Sequence, residues 1–155
     1  MRDYYVEKES ELFGYKYVII LCSMGHRCAY VIVDTEDDTY KGYISKQDPD
    51  EDYSYSAYVA ECNDNGYSMD AHGGITFERK NDSYPIDLEK EYMVIGFEAG
   101  HLGDKKDLDA IREHNEEQYE LLKKYDYEQD GEIRDVYYME QECIKVIAQI
   151  QSAQR

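Results

Sequence analysis

Two short runs rich in β-branched and aromatic residues, Tyr15 to Ser23 (YKYVIILCS) and Cys28 to Asp34 (CAYVIVD), are separated only by Met24-Gly25-His26-Arg27. Such runs read as strands, and the glycine-bearing gap reads as a turn, so the pair predicts a β-hairpin. A three-residue loop would set Cys22 opposite Cys28; a two-residue loop would offset them. Further on, Tyr92-Met93-Val94-Ile95-Gly96-Phe97 is apolar at nearly every position and predicts a central strand buried on both faces. Near the end, Val136, Met139, Cys143, Val146, Ile147 and Ile150 recur at helical spacing and predict a helix over about 133–151. Strands first and helices last define an α+β fold: a small antiparallel or mixed sheet with an N-terminal β-hairpin and C-terminal helices packed on one face.

The remaining pieces fit around this frame. Residues 1–14 read as a strand or arm leading in. Ile75-Thr76-Phe77 reads as a short strand and Asn81 to Pro85 as a turn. Asp104 or Asp107 is placed to cap a helix carrying Leu108, Ile111, Tyr119 and Leu122, although His114 and Asn115 interrupt its apolar stripe. Gly131 ends it. At 155 residues the chain suits a single domain, 1–155, with its helical part at 105–155.

Charge sets the next bound. Against 17 basic residues stand 35 acids, a net charge of −18, which repels nucleic acid, anionic membranes and polyanions that find no local basic pocket. Eleven of those acids, against Lys41 and Lys46, fall in the tyrosine-rich excursion 34–70. Its core, Asp48-Pro49-Asp50-Glu51-Asp52, reads as an exposed loop. Asp48, Asp50 and Asp52 alternate as in a calcium loop, but the glycine and distal glutamate of an EF-hand are missing. An acidic, tyrosine-studded surface of this kind can also imitate the phosphates of DNA and occupy the groove of a basic host protein. The opening residues lack an apolar stretch, no run is long enough to span a membrane, and the four cysteines form no Cys-x-x-Cys pair. The expectation is a cytoplasmic protein with free thiols, no membrane contact and no direct nucleic-acid binding.

Two glycine-histidine stretches carry the chemistry: Asp70-Ala71-His72-Gly73-Gly74-Ile75-Thr76-Phe77 and Gly96-Phe97-Glu98-Ala99-Gly100-His101-Leu102-Gly103-Asp104. Glycine lets a ligand approach backbone N–H groups, and histidine is the side chain most easily recruited near neutral pH. One reading is a pocket for a small nucleotide-like ligand. His72, His101 and Thr76 would hydrogen-bond it, Gly73 and Gly74 would offer N–H groups, and Phe97 would stack on its ring. A helix starting near Asp104 would add a positive dipole end. Glu98 completes the set, and Arg27, His26 and Arg79 are the basic candidates nearby. The other chemical reading is a divalent metal held by His72, His101 and Asp104, supporting phosphodiester hydrolysis by activating water. No other cofactor is expected, and a homo-oligomer fits either reading.

MGHRCAYVIV, DAHGGITFE, YMVIGFEAGHLGD and YMEQECIKVIAQI together resemble, in order and over about a third of the chain, a family of small proteins common in bacteriophages and prophages. The shared positions are Cys28, His72, Gly73, Gly74, Thr76, Gly96, Phe97, His101, Asp104, Glu142 and Cys143. Glu98 stands where that family has aspartate, Ala99-Gly100 replaces its Cys-Ala, and Tyr92-Met93 takes the place of its tryptophans. The resemblance implies a viral accessory protein acting in the host cell, with a role against host defences.

Overall fold

A computed structural model describes residues 3–48, 53–125 and 131–154. Five strands form one antiparallel sheet: β1 (Tyr4–Leu12), β2 (Tyr15–Cys22), β3 (Arg27–Asp34), β4 (Phe77–Asn81) and β5 (Tyr92–Glu98), in the order β1-β2-β3-β5-β4. The helices are α1 (Asp38–Lys46), α2 (Tyr55–Cys62), α3 (Leu108–His114), α4 (Glu116–Lys123) and α5 (Val136–Ser152). Two three-residue strands, β6 (Gly103–Lys105) and β7 (Gly131–Ile133), pair in parallel apart from the sheet. The class is α+β. Among the described residues no helix is long and apolar enough to cross a membrane.

The arm at the start is a full strand, joined to β2 by Phe13-Gly14, both at positive φ (53° and 84°) as a two-residue hairpin turn requires. The β2–β3 register sets Cys28 across from Ile20 and Leu21 across from Arg27. Cys22 therefore faces His26 at the turn and lies diagonal to Cys28 on one face. Alternation sorts the core into layers. Tyr17, Ile19, Val31, Val33, Ile95 and Phe97 face α5, whose Met139, Cys143, Val146, Ile147 and Ile150 are fully buried against them. At about 1.5–3 kcal/mol for each large side chain buried, that stripe is the main reason α5 docks. The opposite face (Val18, Ile20, Tyr30, Ile32, Val94) is covered by side chains of the 84–92 segment and by Tyr4 and Phe77. With both faces covered, the inner strands read as continuous apolar runs.

Two helices, α1 and α2, lie within the acidic excursion. Asp37 and Ser54 cap α1 and α2, and Tyr40, Tyr43 and Tyr55 are buried in the core while Glu36, Asp38, Asp48 and Glu61 are exposed. Pro49, Asp50, Glu51 and Asp52, the centre of the calcium-like and DNA-like readings, lie outside the described residues. The predicted helix after Asp107 is two helices. Asn115 adopts an extended conformation (φ −158°, ψ 104°), ends α3 with its N–H, and caps α4 by accepting from the Gln118 N–H at 3.0 Å. Buried Gln118 then donates to the Ser23 carbonyl and accepts from the Tyr5 hydroxyl, tying α4 to the hairpin turn. The strand expected at Ile75 begins at Phe77, and Thr76 contributes only its N–H to the Gly96 carbonyl.

Candidate functional site

The two glycine-histidine loops meet beside the start of α5. The His72 and His101 rings lie 6.2 Å apart, centre to centre. Beneath them Asp104, its side chain 2% exposed, collects three donors: His72 Nε2 at 2.9 Å, the His101 N–H at 3.0 Å and Arg134 Nε at 3.0 Å. Burial pushes the Asp104 carboxyl up, but these donors outweigh it and hold the group below the ordinary aspartate range. His72 Nδ1 is 2.7 Å from the Tyr138 hydroxyl. With Asp104 ionised, Nε2 carries a proton toward the carboxylate and Nδ1 pairs with the hydroxyl of Tyr138, whose phenol stays protonated because burial, and then the charge of Glu142, push it up. The parallel β6–β7 pair is what makes this possible, since it sets residues 131–133, and with them the adjoining Arg134, alongside 103–105.

His101 lies flat against Gly73. A Cβ on Gly73, whose φ is 69°, would stand 2.3 Å from His101 Nε2, so only glycine fits beneath the ring. That nitrogen is covered and has no hydrogen-bond partner among the described residues; the nearest acid is Glu98 at 3.9 Å. Gly100 plays a similar part for His26, whose ring would be 3.2 Å from an added Cβ. Burial pushes the Cys22 thiol up, but the His26 ring at 3.3 Å outweighs it, so the net shift is down. Hydrogen bonds to Cys22 and then Cys28 push His26 up to about 10.

A cleft of about 450 Å³ opens over this region, walled by the Ala99–Lys106 segment and His26. Leu102 stands fully exposed at its lip. Backbone bonds from Ala99 N–H to the Arg27 carbonyl and from Asp107 N–H to the Gly25 carbonyl hold the segment to the hairpin turn.

The expected site residues divide into two groups. His72, Gly73, His101 and Asp104 come together, with Glu98 beside them. Gly74, at φ 82°, turns the chain by donating its N–H to the Ala71 carbonyl, and Thr76 is exposed. Two roles need correcting. Phe97 is 2% exposed inside the core against α5, so it stacks on no ligand. Arg27 is 5% exposed, and its guanidinium is taken up by Glu7 at 2.7 Å, Asp107 at 2.8 Å and the Arg134 carbonyl. A bulge in β1 at Glu7 turns that carboxylate onto it. Asp107 also caps α3, so that helix end is closed to a phosphate. Arg79 lies over the Phe77 ring on edge strand β4 and does not line the cleft. The metal reading of His72, His101 and Asp104 meets an obstacle: both His72 nitrogens and both Asp104 oxygens are already engaged within the protein.

Residues not singled out beforehand are Arg134, Tyr138, Lys105 and Lys106. Asp135, which caps α5 by accepting from the Tyr138 N–H, was the one local signal for the first two, because it fixes where that helix starts. Compared with known proteins, the chain matches no family model, no curated protein and no solved structure. The reading of the site therefore rests on its own geometry.

Proposed function

We propose that this chain is a binding or sequestering protein for a small phosphate-bearing molecule of the nucleotide class, taken up in the cleft at Ala99–Lys106. One observation carries the reading: the cleft is basic in a chain of net charge −18. Lys105 and Lys106 line it beside His101 and His26, and its one acidic lining residue, Asp104, faces inward with its oxygens taken up. Elsewhere the net field repels anions, so a local basic pocket on this background favours a compact anion over a long polyanion. About 450 Å³ falls within the usual span of small-ligand sites, roughly 300–1,000 Å³. Gly103, at φ 93°, lets the backbone approach a ligand closely.

His72, Asp104, Arg134 and Tyr138 then act as the frame behind the cleft. They lock the loop that carries His101, Lys105 and Lys106. Capture of such a molecule inside a host cell, to the detriment of host defence, is the accessory role that the resemblance to phage proteins implies.

Calorimetric titration with ribonucleoside monophosphates, the matching nucleosides and inorganic phosphate tests this. Monophosphates should bind and nucleosides should not, with affinity falling as salt is raised. The double variant Lys105→Gln, Lys106→Gln should weaken binding by more than about tenfold, the equivalent of one charge-assisted contact of roughly 1.5–3 kcal/mol. Equal binding of nucleoside and monophosphate, or an unchanged double variant, overturns the reading.

A further inference from the structure

On the sheet face opposite α5, alternation brings Cys22 from the end of β2, Cys28 from β3 and Glu98 from the end of β5 to one edge, with His26 at the turn between the first two. Cys28 and Glu98 are direct cross-strand partners. One donor atom each from His26, Cys28 and Glu98 lies within 4.8 Å of the others. Cys22 Sγ lies 3.3 Å from His26 Nδ1. From these positions we infer that Cys22, His26, Cys28 and Glu98 form a binding site for a thiophilic divalent cation of the zinc class.

The donor set decides the class. Two thiolates, an imidazole and a carboxylate are the ligands zinc takes in tetrahedral sites, whereas calcium and magnesium require oxygen donors. Metal–ligand bonds of roughly 2.0–2.3 Å at tetrahedral angles put ligand atoms about 3.3–3.8 Å apart. The donors of His26, Cys28 and Glu98, within 4.8 Å of one another, and Cys22 Sγ, 3.3 Å from His26 Nδ1, reach that spacing by side-chain rotations. A disulfide fits less well. Cys22 and Cys28 are diagonal, and diagonal cross-strand neighbours stand roughly 7–8 Å apart, beyond the about 4.4–6.8 Å between Cα atoms that a disulfide usually spans. An ion between them spans that gap.

The surroundings also suit a metal. The close approach of Gly100 fixes the His26 ring. Cys22, His26 and Glu98 are only partly buried, so an ion can enter from their side, with Cys28 the innermost ligand. Binding forms metal–sulfur, metal–nitrogen and metal–oxygen bonds, and the protons held by the thiols and the imidazole pass to solvent. The site shares His26 with the wall of the anion cleft, but it needs neither Lys105 nor Lys106.

The test uses the full chain, reduced and stripped of metal, titrated with cobalt(II) as a coloured probe and with zinc(II) in competition. One cobalt per chain should bind at micromolar protein with a thiolate-to-metal charge-transfer band, and zinc should displace it. Cys28→Ser and His26→Gln should each abolish stoichiometric binding, while Cys62→Ser, at an exposed cysteine outside the cluster, should leave it intact. A wild-type chain that is folded by circular dichroism yet binds no cobalt overturns the site, whatever the variants do. So does cobalt binding without the thiolate band, or a Cys22–Cys28 disulfide found by mass spectrometry in protein purified without reductant.

Discussion

Replacing Asp104 by Asn removes one charge and one acceptor from a nearly closed pocket while keeping its shape. The carboxylate accepts from His72, from the His101 N–H and from Arg134, all at 2.9–3.0 Å. An amide oxygen set where Oδ2 stands can keep His72 and the His101 N–H, and its NH2 group then faces the Arg134 donor. Arg134 is left without an acceptor there, and Arg134 and His72 lose the countercharge. Removing one member of a buried ionic group costs roughly 3–5 kcal/mol, against about 5–15 kcal/mol for the whole stability of an ordinary domain. For a chain of this size each kcal/mol moves Tm by about 2–4 °C, so the variant should melt about 6–20 °C lower.

Urea unfolding of both proteins, followed by circular dichroism from neutral to acid pH, measures this. The folded Asp104 is held below its unfolded value of about 3.9, so its contribution is complete above that pH and is lost as pH falls through the folded value. The gap between the two proteins should be constant at neutral pH and close in acid. A loss under about 1 kcal/mol, the worth of one exposed hydrogen bond, would refute the hub, as would a gap that persists unchanged into acid.

Three further outcomes follow from particular contacts. Arg27→Ala leaves Glu7 and Asp107 without their countercharge in a mostly buried site, and should cost about 3–5 kcal/mol in urea unfolding, partly restored by adding Glu7→Gln. Gly73→Ala must pay about 1–2 kcal/mol for its left-handed backbone and must also push the His101 ring away, so a shifted His101 imidazole signal in NMR should accompany the loss of stability. Cys143, fully buried on the sheet-facing side of α5 with its thiol pushed up by burial and then by Glu140 and Glu142, should resist a thiol reagent in the native protein while exposed Cys62 reacts; Cys143→Ser should cost about 1–3 kcal/mol for the buried hydroxyl.

The frame was legible because its signals are local. Runs such as YVIIL and YMVIGF and the helical stripe of α5 state their own burial through composition and period. Outward charge dominates the composition of the acidic excursion, yet Tyr40 with Tyr43 and Tyr55 with Val59 stand at helical spacing and mark the buried side of α1 and α2. Asn115 was visible as an interruption of an apolar stripe, but not as a residue capping one helix while ending another. The convergence of His72 and His101 could be expected from loops at one end of a sheet. Their partners could not, because Arg134 and Tyr138 arrive through the parallel pairing of β6 with β7, thirty residues away in the chain, and no spacing rule encodes that. Arg27 and Phe97 were misassigned for the opposite reason. Neighbours in sequence to site residues, they alternate onto the core face, and alternation is decided by register.

The central claim is that the cleft at Ala99–Lys106 holds a phosphate-bearing ligand, and amide NMR spectra of the isotopically labelled protein during titration with ribonucleoside monophosphates test it most directly. The account predicts saturable shifts at Gly100, His101, Gly103, Lys105 and Lys106, reversed by inorganic phosphate at higher concentration. Saturable shifts confined to another surface, such as the Phe77–Tyr84 edge, or no shifts at all at millimolar ligand, would contradict it.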